Sequence, residues 1–180
     1  MDLIEGETLE DRMKKHPEKL DEYLDEMVEL QLKVHKESMP KLSKLKDKLT
    51  RLINSLDDIS DSIKYELLTR LDSMPKHVKL CHGNFVPANI ILNEKGTYIV
   101  DWIAARQGNA SADVAKTYLM LTLESPDMAE KYLNLFCEKT NTSKKYVQDW
   151  LPIVAAARLT EKRPEERDLL MKWVDVVAYE

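Results

Sequence analysis

A chain of 180 residues with 43% hydrophobic and 33% charged side chains can build one substantial apolar core, which excludes a disordered polypeptide. A formal net charge of -5 excludes nucleic-acid binding through bulk positive charge. No apolar stretch is long enough to span a bilayer, and no basic segment followed by an apolar run opens the chain. Cys81 and Cys137 lie far apart, with no disulfide framework and no metal-type spacing. The expectation is a cytoplasmic protein with reduced thiols and no membrane or nucleic-acid partner.

Met1 to Gly6 is a short apolar-acidic piece ending in glycine. Thr8, with Asp11 three residues on, is placed to cap a helix that runs to about Lys15 and stops near Pro17. From Pro17 to about Glu37, the positions Leu20, Leu24, Met27, Val28 and Val34 keep helical spacing. His35 falls on the same apolar face, which marks a hydrogen-bonded core histidine more often than a ligand. A third helix is predicted from near Pro40, where Leu42, Leu45, Leu49, Leu52 and Leu56 alternate steps of three and four. Such a seam can serve a coiled coil or a partner; its shortness favours a face packed on its own domain. Lys41, Lys44, Lys46 and Lys48 then form a solvated fringe.

A fourth helix carries Ile59, Ile63, Leu67 and Leu71 in one row. After Pro75 the pattern changes. Val78 to Cys81 reads as a strand, and Ile90 to Leu92 and Tyr98 to Val100 as two more, turned at Asn93 to Gly96. Helices follow from about Ser111 to Leu123 and from Pro126 to Glu138. Tyr146, Val147, Trp150, Val154 and Ala155 form a further helical region that Pro152 kinks or splits. A last helix runs from near Pro164 to Val177. The prediction is a single α+β domain over residues 1–180, mostly α-helical, with a small central β-hairpin that carries a polar loop.

That loop is His82-Gly83-Asn84-Phe85-Val86-Pro87-Ala88-Asn89, and the second apolar run after it ends in Asp101-Trp102. Asn89 offers an amide oxygen and Asp101 a carboxylate, both hard donors of the kind magnesium takes. Taken singly, Asn89 reads as a turn cap and Asp101 as the partner of a nearby Lys or Arg. Joined in His-Gly-x-x-x-x-x-Asn…Asp-Trp with apolar flanks, they resemble the catalytic loop and metal-binding segment of the aminoglycoside phosphotransferase and choline kinase family. Gly108 to Ala115 resembles the family's Gly-Asp-Pro-x-x-Asp-Leu-Ala segment, with Asn109 and Ala110 in place of Asp-Pro.

The resemblance implies a protein-kinase-like C-terminal lobe, a transferase that uses ATP (or GTP) and magnesium, and a small hydroxylated acceptor. It assigns the metal and nucleotide phosphates to Asn89 and Asp101, and the anchoring of the loop to Asp113. His82 can be read as a general base; the resemblance gives it a loop-structuring role instead. The chain departs from the pattern at Asn84, where the family has the catalytic aspartate. An asparagine can accept a hydrogen bond but carries no charge and is not a useful base. Residues 1–9 resemble the hinge between lobes, and the chain offers no place for the β-rich N-terminal lobe with its phosphate-covering loop and lysine. The expectation is therefore a phosphotransferase lobe that is inactive or impaired by itself, with nucleotide binding weak or absent, and with self-association through the surface that would face the other lobe. The alternative is a non-catalytic pseudokinase that works as a binding or interaction module.

Overall fold

The computed structural model describes residues 3–175. Met1, Asp2 and Val177, which the sequence assigns to the hinge-like piece and the last helix, lie outside the described residues.

The chain begins with β1 (Glu7–Thr8) and α1 (Leu9–Lys15). The Thr8 hydroxyl accepts the Asp11 N–H at 3.0 Å, which satisfies one of the free amides of the first turn. A 3-10 turn at Pro17–Lys19 leads into α2 (Leu20–Lys36), whose buried face runs from Tyr23 and Leu24 through Met27, Val28 and Gln31 to Val34 and His35. That spacing is the helical period seen in the sequence.

The third helix is shorter than predicted. It is α3 (Leu45–Ser55), and Pro40, Leu42 and Ser43 precede it as a loop. The reason lies 65 residues on. The Gln107 side-chain amide donates to the Pro40 carbonyl at 2.8 Å and the Leu42 carbonyl at 2.6 Å, and the Gln107 N–H donates to Ser43. These carbonyls are held by a strand, not by a helix. The next helix is α4 (Asp61–Ser73), capped by the Ser60 hydroxyl.

The predicted hairpin is present, and a second small sheet stands beside it. β3 (Ile90–Asn93) and β4 (Gly96–Ile99) form that hairpin in the register Ile90↔Ile99 to Asn93↔Gly96. β1 adds to the free edge of β3, with Thr8 opposite Ile91. The second sheet pairs β2 (Lys79–Cys81) with β5 (Arg106–Gly108), antiparallel. Residues 37–44 lace along both outer edges of this ribbon, through Leu80 N–H to Glu37, Met39 N–H to Val78 and Gln107 N–H to Ser43.

The rest is helical: α5 (Ala110–Glu124), α6 (Pro126–Thr140), α7 (Lys144–Gln148), α8 (Leu151–Leu159) and α9 (Pro164–Asp175). Pro152 splits the region around Trp150, because it stands in the first turn of α8, where its missing N–H has no helical partner to lose. α5 packs against α6 and α8, and α2 against α6. Leu24, Met27, Leu119, Leu133 and Ile153 are among the side chains fully enclosed there. Among the described residues, no helix is long and apolar enough to cross a membrane.

Candidate functional site

The polar loop leaves β2 at Cys81. Its turn is made at Gly83, whose φ of +85° disfavours any side chain. A Cβ there would also lie 2.8 Å from the Ala104 carbonyl oxygen. His82 is buried, and both ring nitrogens are engaged by backbone. Nε2–H donates to the Val100 carbonyl at 2.9 Å, and Nδ1 accepts the Asn84 N–H at 3.1 Å. Phe85 and Trp102 meet the ring edge-on at centroid distances of 5.8 and 4.6 Å. A neutral imidazole bonded in this way fixes loop shape and has no free nitrogen with which to take a proton.

Beneath the loop, Asp113 stands in the first turn of α5. Its carboxylate accepts the Gly83 N–H at 2.8 Å, the His82 N–H at 3.1 Å and His35 Nε2–H at 2.8 Å. Burial pushes this carboxyl upward, but the His35 bond and the two loop amides outweigh it and hold the group below the usual carboxylate range. One turn further along the same helices, Thr117 donates to the Phe85 carbonyl at 2.8 Å and accepts from Gln31 at 3.3 Å. The Gln31 amide oxygen in turn accepts the buried Tyr132 hydroxyl. Sequence reasoning found Asp113 and placed His35 in the core, but missed this ladder. The signal was present: Gln31 and His35 are four apart on α2, and Asp113 and Thr117 are four apart on α5.

Above the loop, the Asn84 side-chain amide donates to Asp101 Oδ2 at 3.0 Å. The Asn89 amide donates to the Asn84 carbonyl at 2.9 Å, and the Asn89 carbonyl accepts the Val100 N–H at 2.9 Å. Asn84, Asn89 and Asp101 are thus brought together by one continuous set of bonds. Asp101 holds a left-handed backbone, φ 61° and ψ 62°, and is exposed. The free oxygen of Asn89 and the second oxygen of Asp101 have no hydrogen-bond partner among the described residues.

This donor set fits magnesium, which takes one or two protein oxygens and completes its shell with water and phosphate. Among the described residues, no group of three or more His, Cys, Asp or Glu side chains gathers into an all-protein metal cage. The Cys81 thiol is no rival nucleophile, since burial pushes it far above its ordinary value.

Asn109, like Asn84, stands where the resemblance has an aspartate. Its side-chain oxygen caps α5 by accepting the Ser111 N–H at 2.9 Å, as an aspartate would. Its NH2 group donates to the Tyr146 hydroxyl at 2.6 Å and the Pro75 carbonyl at 3.3 Å, which an aspartate could not do.

A family model described as "Phosphotransferase enzyme family" matches residues 1–146. Among solved structures, choline kinase LicA from Streptococcus pneumoniae matches with a TM-score of 0.68 at 15% identity, over 89% of this chain and 65% of that one. LicA in complex with AMP matches with a TM-score of 0.63 at 16% identity, over 89% and 62% of the two chains. None of the curated proteins matches the chain. The fold is that of a kinase-like C-terminal lobe, and the chain spans about 65% of the length of the choline kinase structure it matches.

Proposed function

Because the chain belongs to the phosphotransferase enzyme family, we propose that residues 1–180 form the catalytic C-terminal lobe of a small-molecule kinase that uses ATP (or GTP). The observation that carries this reading is the bonding of Asn84 to both Asn89 and Asp101 at the open end of the loop. Asn89 and Asp101 would hold magnesium through their free oxygens. Bound there, the ion would neutralise charge on the transferring phosphates. His82 and Asp113 are positioning residues that fix the loop from within. The free oxygen of Asn84 would accept a hydrogen bond from the acceptor hydroxyl and so orient it.

Without a charged base at residue 84 the transfer is slow, since a positioned base contributes about 10²–10⁴ in rate. Positioning and charge neutralisation over the phosphates supply most of the acceleration in this chemistry, and they call for a β-rich lobe over the nucleotide. Residues 1–9 act as the hinge to it, a reading supported by the pairing of β1 with β3. Self-association through apolar side chains such as Leu3, 87% exposed, and Ile103, 90% exposed, belongs to the same reading. So does a cytoplasmic setting.

A second reading, a non-catalytic pseudokinase, is favoured by one observation: the Asn84 NH2 group is already committed to Asp101. Four samples separate the two, the native chain and Asn84→Asp, each with and without a matching β-rich lobe. Magnesium-dependent nucleotide binding, phosphate release and acceptor phosphorylation are measured in each. We expect no detectable transfer from either chain alone. With the lobe supplied, the variant should exceed the native chain by roughly 10²-fold. Failure of both to bind nucleotide with the lobe present would favour the pseudokinase. Substantial turnover by the native chain alone would overturn the expected impairment.

A further inference from the structure

A cavity of about 280 Å³ opens beside Gly83, walled by α3, α5 and α8. Its apolar lining includes Leu49, Ala112 and Val154, and two lysines share it, Lys48 from α3 and Lys116 from α5. Among the described residues neither ammonium makes a hydrogen bond or a close ion pair. The carboxylates nearby are already taken. Glu161, at the rim, is held by Arg158 at 2.8 Å and Arg163 at 3.3 Å. Arg158 also grips Glu166 at 2.7 Å. Asp113 is satisfied by His35 and the loop amides.

The Lys48 charge adds to the cost of charging Lys116. Burial first, then Arg158 and Lys48, push Lys116 down to about 8, against the opposing pull of Glu161. Burial, then Arg106 and Arg51, lowers Lys48, again against the opposing pull of Glu161. An anion entering the cavity relieves both effects at once. The positive character continues outward. Lys48 also lines a neighbouring groove with Lys44, Arg51 and Arg106, in which Asp47 is the one carboxylate among the lining residues.

Gly83 lines the cavity and Asn84 follows it in the chain, so the cavity meets the loop one residue before the one read above as orienting the acceptor hydroxyl. Resting on that reading, we propose that the Lys48–Lys116 cavity is the anion subsite of the acceptor pocket, and that the acceptor is a small hydroxylated anion bearing a carboxylate or a phosphate. A cationic acceptor would enter against two ammonium groups that have no close ion pair among the described residues. A large one would exceed a cavity at the lower end of ligand-site volumes.

The test is calorimetric titration of the chain, without nucleotide, with glycerol 3-phosphate, glycerate, glycerol, ethanolamine and inorganic phosphate. At least one of the two hydroxylated anions should bind about 10-fold or more tighter than glycerol or ethanolamine. The preference between them tells carboxylate from phosphate. Lys116→Met and Lys48→Gln should each lose about 10-fold of that affinity, with thermal melts reporting that each variant is folded. Lys48→Gln, on the rim of α3, serves if Lys116→Met does not fold.

Equal binding of the neutral and cationic alcohols, or affinity unchanged in the folded lysine variants, overturns the proposal. So does inorganic phosphate binding as tightly as glycerol 3-phosphate, which would mark an ion site only. Since no nucleotide is present, the outcome is separable from catalysis. Lysine-dependent anion binding without any transfer keeps the subsite and sinks the kinase reading. Lysine-independent transfer to a cationic alcohol does the reverse.

Discussion

The two sides of the loop from His82 to Asn89 obey different rules. Below it, Asp113, His35, Thr117, Gln31 and Tyr132 are buried and joined by hydrogen bonds from α2 and α6 through α5 to the loop backbone. Above it, Asn84, Asn89 and Asp101 share bonds but keep oxygens free at the surface. Below the loop an exchanged atom leaves a partner stranded in an apolar interior, so residue identity is dictated by the fold. Above it, water replaces whatever is lost, and identity is left to chemistry. An exchange at residue 84 should therefore cost the fold little.

The contrast is broken most directly by Asp113→Ala. It leaves two loop amides and His35 without an acceptor in the interior, and should cost about 3–5 kcal/mol in urea unfolding. If it costs no more than Asn84→Ala, the two sides do not differ as described. Gly83→Ala comes next, at about 2 kcal/mol or more, because a left-handed backbone coincides with a clash at Ala104.

Acid should act on the loop through Asp113. The Asp113 carboxyl is depressed when folded, so its contribution is fully present above its unfolded value of about 4 and lost as pH falls through the lower folded one. Asp113→Asn should flatten that acid limb, read as urea midpoints measured across low pH. The smallest effect is expected from Asn84→Asp. It replaces a hydrogen bond to Asp101 with a like charge at an exposed site, and should shift stability by less than about 1 kcal/mol while tightening magnesium binding.

Much of this contrast could be read in the sequence. The Thr8 cap and Pro17 gave α1, and the sequence pattern gave α2, α5 and α6, close to their observed bounds, while the His-Gly…Asn…Asp pattern gathered the residues that the structure brings together. What escaped depends on partners distant along the chain. Arg106-Gln107-Gly108 shows no apolar alternation, and it is a strand because β2 and residues 43–44 flank it. His35 was expected to be hydrogen-bonded, but its partner is 78 residues away. The lysines around α3 read as a solvated fringe, since spacing reveals a polar face but not what stands opposite it. For Lys48 that is a cavity shared with Lys116. Lys46 is instead held by the Asp72 carbonyl at 2.8 Å.

The Gln107 clamp has a consequence for how this protein can drift. It grips Pro40, Leu42 and Ser43 through carbonyl oxygens, which every amino acid possesses. Those three positions can therefore exchange side chains with little penalty, whereas inserting or deleting one residue between Glu37 and Leu45 would slide the wrong oxygens under the amide. The leash that sets α3 against β5 is specified by its length, and nearly all of its spelling falls on Gln107.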